Sequence, residues 1–187
     1  MAIKIPINEV KALGNITSGL KVLEFGNKKN SSGVYRDWYI AKGINYTSTD
    51  INGLDGAIIW DVRENPPKEI LKNSPYDIIT NFGFSEHVET DKGQEMFWKN
   101  ANNLITLGGK LALVLPQPGY WLNHGKAVGC PGIYYPYEQF YIDFAKQNGY
   151  EIEDIWQDTE IHLNCCRLRK TEDKQFIMVQ GLHKNLS

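Results

Sequence analysis

The sequence predicts an α/β fold: a three-layer αβα sandwich around a seven-stranded, mostly parallel sheet with one antiparallel strand. Short apolar runs alternate with segments of helical spacing, the pattern of successive βαβ units. The run 111–115, "LALVL", is continuously apolar, as a strand covered on both faces must be. The last two apolar runs follow each other with no helical pattern between them, which predicts an antiparallel hairpin at one end of the sheet.

Taken in order, strands are expected at 20–25 ("LKVLEF"), 45–50, 56–62, 76–82, 109–116, 150–157 and 175–182, the last running antiparallel. "INEVKALGNITSG" predicts a helix and turn ahead of the first strand, and "VYRDWYIAKG" a short helix closed by Gly43. In "DKGQEMFWKNANNLITLGG", Met96, Phe97, Ala101, Leu104 and Ile105 recur at helical spacing before a double-glycine stop. Phe140, Phe144 and Ala145 do the same before Gly149. No repeat or compositional break marks a linker. The chain therefore reads as one domain over 1–187, with residues 1–19 as an N-terminal helix and turn and 117–140 as an acceptor loop.

A length of 187 residues is enough for a sizeable core. The formal charge of −2 offers no global attraction to nucleic acid or to an anionic membrane, and neither is expected as a partner. No apolar run is long enough to span a bilayer, and the N-terminus lacks a signal-peptide core. Cys130, Cys165 and Cys166 form neither a disulfide framework nor a metal-ligand spacing. Reduced thiols, a cytoplasmic location and no bound metal are the expectations.

In an open α/β sheet, ligands sit beyond the carboxyl ends of the strands. The residues there are Glu24–Gly26, Asp50, Asp61, 81–87 and the loop after Pro116. Gly26 stands where the backbone must turn sharply or admit a ligand. The loop then reads Asn27-Lys28-Lys29-Asn30, which lacks the glycines of the dinucleotide fingerprint, and no phosphate-binding GxxxxGK[ST] loop exists. Asp50 has two readings of equal weight: acceptor of both hydroxyls of a ribose, or cap of the following turn.

Five stretches, in order, resemble class I S-adenosylmethionine-dependent methyltransferases of the small-molecule and glycan-modifying kind. "VLEFG" is similar to their first motif, "YTSTDI" to the acidic second-strand motif and "IIWDV" to the third-strand motif. "YDIITNFGFSEHV" and "NNLITLGGKLALVLP" are similar to the fourth-strand motif and to the helix, glycine turn and fifth strand. The resemblance covers roughly residues 20–116 and implies a Rossmann-like sheet with S-adenosylmethionine as cofactor. It implies that Glu24, Gly26 and Asn27 line the methionine end, Asp50 takes the ribose and Ile51 packs on the adenine. Asp61 accepts from the adenine amino group beside Val62. Asn81, Phe82 and Gly83 run past the methionine near the transferred methyl. Lys28 and Asn30 depart from the pattern, standing where the family places glycine.

Methyl transfer from a sulfonium is an in-line displacement governed by alignment, and a base is needed only if the acceptor loses a proton. His87, following Glu86, and His124, in "QPGYWLNHG", are the candidate bases. Each has a structural alternative: His87 bonded to Glu86 or backbone, with equal weight, and His124 as a surface histidine, the reading its loop position favours. His162 and His183 read as solvated or inert. Tyr120, Trp121, Tyr134, Tyr135 and Tyr137 suit either stacking on an acceptor or packing beneath a loop. Arg167, Arg169 and Lys170 suit a solvated hairpin or an anionic acceptor. The expected function is O- or N-methylation of a small molecule or sugar. The alternative is a methyltransferase-like binding or scaffold protein without turnover, suggested by the altered loop.

Overall fold

The computed structural model describes residues 4–118 and 132–184. Strand β1 (Lys21–Phe25) explains the three layers in miniature. Leu23 and Phe25 enter one apolar layer, whereas Val22 enters the other, because alternate side chains leave a strand on opposite faces. Around it the main sheet is ordered β5–β4–β1–β6–β7–β10–β9. Its strands are β4 (Asn45–Asp50), β5 (Ile58–Ile59), β6 (Tyr76–Phe82), β7 (Ile105–Pro116), β9 (Tyr150–Asp158) and β10 (Leu163–Lys170). The strands β4, β5, β6 and β7 run parallel to β1, while β10 is antiparallel to both its neighbours, β7 and β9.

Helices α1 (Ile7–Leu13) and α2 (Tyr35–Ala41) cover one face through Ala12, Leu13, Tyr35 and Tyr39. Helices α3 (Lys68–Asn73), α4 (Asp91–Leu104) and α5 (Glu138–Asn148) cover the other through Ile70, Phe97, Trp98, Phe140 and Phe144. Thr90 caps α4 by accepting the Gly93 amide at 3.0 Å, and Gly149 ends α5 in the left-handed conformation. Two small pairs complete the chain: β2 (Lys29–Asn30) with β3 (Gly33–Val34), and β8 (Tyr134–Pro136) with β11 (Leu182–Lys184). No helix among the described residues is long and apolar enough to cross a membrane.

Three expectations need correction. The antiparallel strand is Leu163–Lys170, not 175–182; with β9 it forms the hairpin expected at one end of the sheet, β9 on the margin and β10 next to it. Its polar look misleads, because Arg167 and Arg169 pair with Glu153 and Glu151 while Cys165, Cys166 and Leu168 are buried. Residues 175–181 form no strand; Phe176, Met178 and Val179 instead lie against the α4–α5 layer. The third strand shrinks from 56–62 to Ile58–Ile59, because Gly56 turns with φ 76° and Trp60 folds into the core. Helix α4 ends at Leu104, before the double glycine. Gly108 and Gly109 lie instead in an irregularity of β7, where pairing jumps from Tyr76↔Ile105 to Ile78↔Lys110.

Asn8 is one of the side chains that tie helix α1 to the sheet. Asn8 donates to Asp158 at 2.7 Å and accepts from the Trp156 indole at 3.0 Å. Asn8→Ala leaves the indole donor without its partner and should cost roughly 1–3 kcal/mol. Urea denaturation of the variant against the parent measures that loss.

Candidate active site

At the carboxyl end of β1 the chain turns at Gly26, whose φ is 88° and whose amide donates to the Thr49 carbonyl at 2.8 Å. A Cβ there would stand 2.6 Å from the Phe84 ring, which stacks on Phe25, so both conformation and space demand glycine. Asn27 follows with φ 33° and ties to the Leu54 carbonyl at 2.8 Å; its buried side-chain oxygen has no partner. The Lys28 amide donates to Glu24 at 2.5 Å, and its carbonyl accepts from the Tyr35 amide at 3.0 Å. The β2–β3 hairpin therefore closes the segment where a glycine loop was expected.

Glu24 is wholly buried, with Ser48 of β4 and Thr80 of β6 as its register partners. One carboxyl oxygen accepts from Lys28 and from the Tyr46 hydroxyl at 3.0 Å, while the other has no partner. Burial pushes its pKa up to about 8 against the opposing pull of those two bonds. Glu9 of α1, also buried and with one oxygen unpartnered, is raised by the same cause.

Asp50 ends β4 and accepts the Asn52 amide at 3.2 Å, a turn contact that leaves carboxylate capacity free. The next residue, Ile51, is exposed and lines a cleft of about 260 Å³. Trp60, Asp61, Val62, Phe84 and His87 also line it. Asp61 lies past β5 in a turn, where Arg63 grips it through two nitrogens at 2.7–3.1 Å and holds its carboxyl below the usual range. Asn100 of α4 fixes that turn by donating to the Val62 and Glu64 carbonyls at 3.0 and 2.9 Å.

Beyond β6, Asn81 is buried and donates to the Ser85 hydroxyl at 2.7 Å while accepting the Ser85 amide at 3.0 Å. Its side chain thus shapes the Ser85–His87 turn, which Gln94 also anchors through the Ser85 and Val88 carbonyls. Phe82 sends its ring into the α1–α2 layer, and its carbonyl accepts the Lys28 ammonium at 2.8 Å. Glu86 is buried, and burial lifts its carboxyl to about 7; one oxygen is unpartnered. Gly132 packs directly on it, and the Ile133 amide donates to its carbonyl at 2.6 Å. His87 stands 3.8 Å from Glu86, half-exposed, its pKa lowered by partial burial and then by Lys28.

The expected site residues thus fall in two groups. Ile51, Asp61, Val62 and His87 line one cleft, next to Asp50; Glu24, Gly26, Asn27, Gly83 and Glu86 surround the Lys28 side of the edge. Asn81 and Phe82 direct their side chains elsewhere. His124 lies outside the described residues. Lys28, Arg63, Tyr46 and Glu9 were not anticipated. The first two had a signal: a lysine in a glycine position, and an arginine two residues after a strand-end aspartate.

A raised carboxyl pKa means the folded state holds its proton more tightly than the unfolded chain. The associated stability is full below about pH 4.5 and is lost as pH rises through about 8. Glu24→Gln removes that loss. The variant should melt above the parent at pH 8.5, by on the order of a few kcal/mol, and the gap should close near pH 5. Thermal melts followed by circular dichroism across that range measure it.

No family model matches the chain, and no curated protein matches it in sequence. Solved structures do match in fold. One is a Burkholderia thailandensis 1,6-didemethyltoxoflavin N1-methyltransferase bound to its substrate and S-adenosylhomocysteine. It has a TM-score of 0.58 at 11% identity, over 83% of this chain and 72% of that one. A TehB-like S-adenosylmethionine-dependent methyltransferase from Corynebacterium glutamicum has a TM-score of 0.58 at 13% identity, over 87% and 85%. The N-methyltransferase NodS of Bradyrhizobium japonicum, with S-adenosylhomocysteine, has a TM-score of 0.58 at 12% identity, over 88% and 83%. The chain has the fold of the class I S-adenosylmethionine-dependent methyltransferases.

Proposed function

We propose that this chain is an S-adenosylmethionine-dependent methyltransferase acting on a small molecule, its cofactor lying across the carboxyl ends of β5, β4, β1 and β6. The observation that carries the reading is the cleft at the point where strand order reverses. It is walled by Ile51 and Val62, sits one residue from a carboxylate with spare acceptor capacity, and opens beside the end of β6. The residues fit such a group. Ile51 and Val62 suit the faces of an adenine, Asp50 the two ribose hydroxyls, and Asp61, oriented by Arg63, the exocyclic amine. Gly83 carries no side chain between Lys28 and Glu86, and Glu24 and Glu86 each keep a buried oxygen without a partner.

When bound, the cofactor supplies a methyl on a sulfonium, an electrophile that protein groups need only align. Glu86 is suited to take a proton from a hydroxyl or amine acceptor, since its carboxyl titrates near neutrality where Gly132 closes over it. His87 and His124 are the alternative bases. Residues 117–140 are proposed to receive the acceptor, a small molecule or glycan, within one domain spanning the chain, and the protein is proposed to work in the cytoplasm. The second reading, a binding protein without turnover, is favoured by the hairpin and lysine that replace the glycine loop.

Calorimetric titration with S-adenosylhomocysteine tests the cofactor directly: one site is expected, and no binding ends the reading. Asp50→Ala removes charge-assisted bonds each worth roughly 1.5–3 kcal/mol. Its affinity should fall about tenfold or more while the melting temperature stays close to the parent's. An unchanged affinity reduces Asp50 to a turn cap.

A further inference from the structure

Lys28 is the one cation facing the methionine side of the proposed cofactor site among the described residues whose contacts define it. Its ammonium does not project to solvent from the loop. It crosses to β6, donates to the Phe82 carbonyl at 2.8 Å, and stands 3.1 Å from the point where a side chain on Gly83 would begin. A Glu86 carboxyl oxygen lies 3.3 Å from the same point. Behind the lysine, its own amide is held by Glu24. Each of these two carboxyls is at least nine-tenths buried and keeps one oxygen without a partner. The ammonium is therefore held over Gly83, facing two acids with unused acceptor capacity.

We propose that Lys28 sets the charge preference of the cofactor site, favouring the uncharged thioether of S-adenosylhomocysteine over the cationic sulfonium of S-adenosylmethionine. The inference rests on the cofactor reading above and goes beyond it. The two ligands differ by one methyl and one positive charge, so an ammonium fixed beside Gly83, on the methionine side of the proposed site, would discriminate between them by like-charge repulsion. Screening is weak there, because the surroundings are only partly open to water. Glu24 and Glu86 oppose that repulsion when ionised. Both favour their neutral forms through burial, so they offset the lysine incompletely near neutral pH. The groups that face them are Glu9 on α1, Tyr35 and Tyr39 on α2, Tyr46 on β4, and Tyr141 on α5, besides Lys28 and His87; none of these adds a second cation except a protonated His87.

A consequence for the reaction is tight retention of product. A site with this charge arrangement turns over slowly once S-adenosylhomocysteine accumulates, and its rate depends on whatever hydrolytic or displacing reaction removes that product. A glycine in place of Lys28 would put no ammonium at this point, which is why the departure in the loop matters for function and not only for shape.

Calorimetric titration of both ligands into the full chain at pH 7 tests the proposal, with Lys28→Met as the variant and Lys29→Met as control. Methionine keeps the unbranched stem and leaves the backbone bonds of residue 28 in place. The ratio of S-adenosylmethionine to S-adenosylhomocysteine affinity should rise about tenfold in Lys28→Met, from the removal of one nearby like charge. Lys29, exposed and 3.8 Å from Asp55, should leave the ratio within twofold of the parent's, a threshold set roughly by the scatter of such titrations. Glu86→Gln provides an independent arm that does not touch the loop, and should shift the ratio the opposite way. Parallel changes in both affinities, with the ratio unaltered in Lys28→Met and Glu86→Gln, overturn the proposal and make Lys28 a structural tie. Failure of both ligands to bind the parent overturns the cofactor reading, and this proposal with it.

Discussion

The carboxyl of Glu24, buried at the centre of β1, accepts the Lys28 amide and the Tyr46 hydroxyl, and the edge of the sheet is shaped around those bonds. A carboxyl in that position is unfavourable unless donors reach it. The chain supplies them by turning back at Gly26 and Asn27, both with positive φ, so that residue 28 points its N–H inward. That turn leads into the short β2–β3 hairpin, and the Lys28 side chain reaches the carbonyl end of β6. Phe84 then fills the space over Gly26 and continues the stack from Phe25 to Phe97 and Trp60. Loop, lysine and aromatic wall thus follow from one buried acid.

The same acid leaves the molecule with local frustration. Ser48, Glu24 and Thr80 form one row across β4, β1 and β6, beneath Tyr39 of α2 and close to Glu9 of α1. Each of the five has a buried polar atom without a partner. Groups of this kind cost stability and concentrate where a protein binds something. Their position on the α1–α2 face, directly behind the Lys28 turn, connects the helical layer to the edge where the ligand is proposed to lie.

Sequence pattern revealed the elements whose periodicity was undisturbed: β1, β4 and β6, helix α5 with its Gly149 stop, and α1. It failed where tertiary partners override local signals. Strand β10 carries three cations in eight residues and reads as a loop, yet Glu151, Glu153 and Asp173 neutralise them from neighbouring elements. The double glycine after α4 looks like a helix stop because that is its commonest use. Here Gly109 sits against the Asp77 backbone inside an irregular strand pairing. In the site, strand-end positions were legible from topology alone, but partners were not. No local rule joins Arg63 to Asp61's orientation, Asn81 to Ser85, or Glu9 to a carboxyl fifteen residues later in a different element.

The insertion of β10 between β7 and β9 also decides what the sheet presents to other molecules. One margin is β5, only two residues long, too short to template another chain. The opposite margin is β9, whose sequence "YEIEDIWQD" carries acids throughout and whose Trp156 and Asp158 are engaged by Asn8 of α1. The continuously apolar segment of β7, which on a free edge would invite cross-strand aggregation, is held in the interior with partners on both sides. By sending its last hairpin back into the sheet, the chain keeps its stickiest strand away from solvent, a colloidal advantage unrelated to any chemistry at the carboxyl edge.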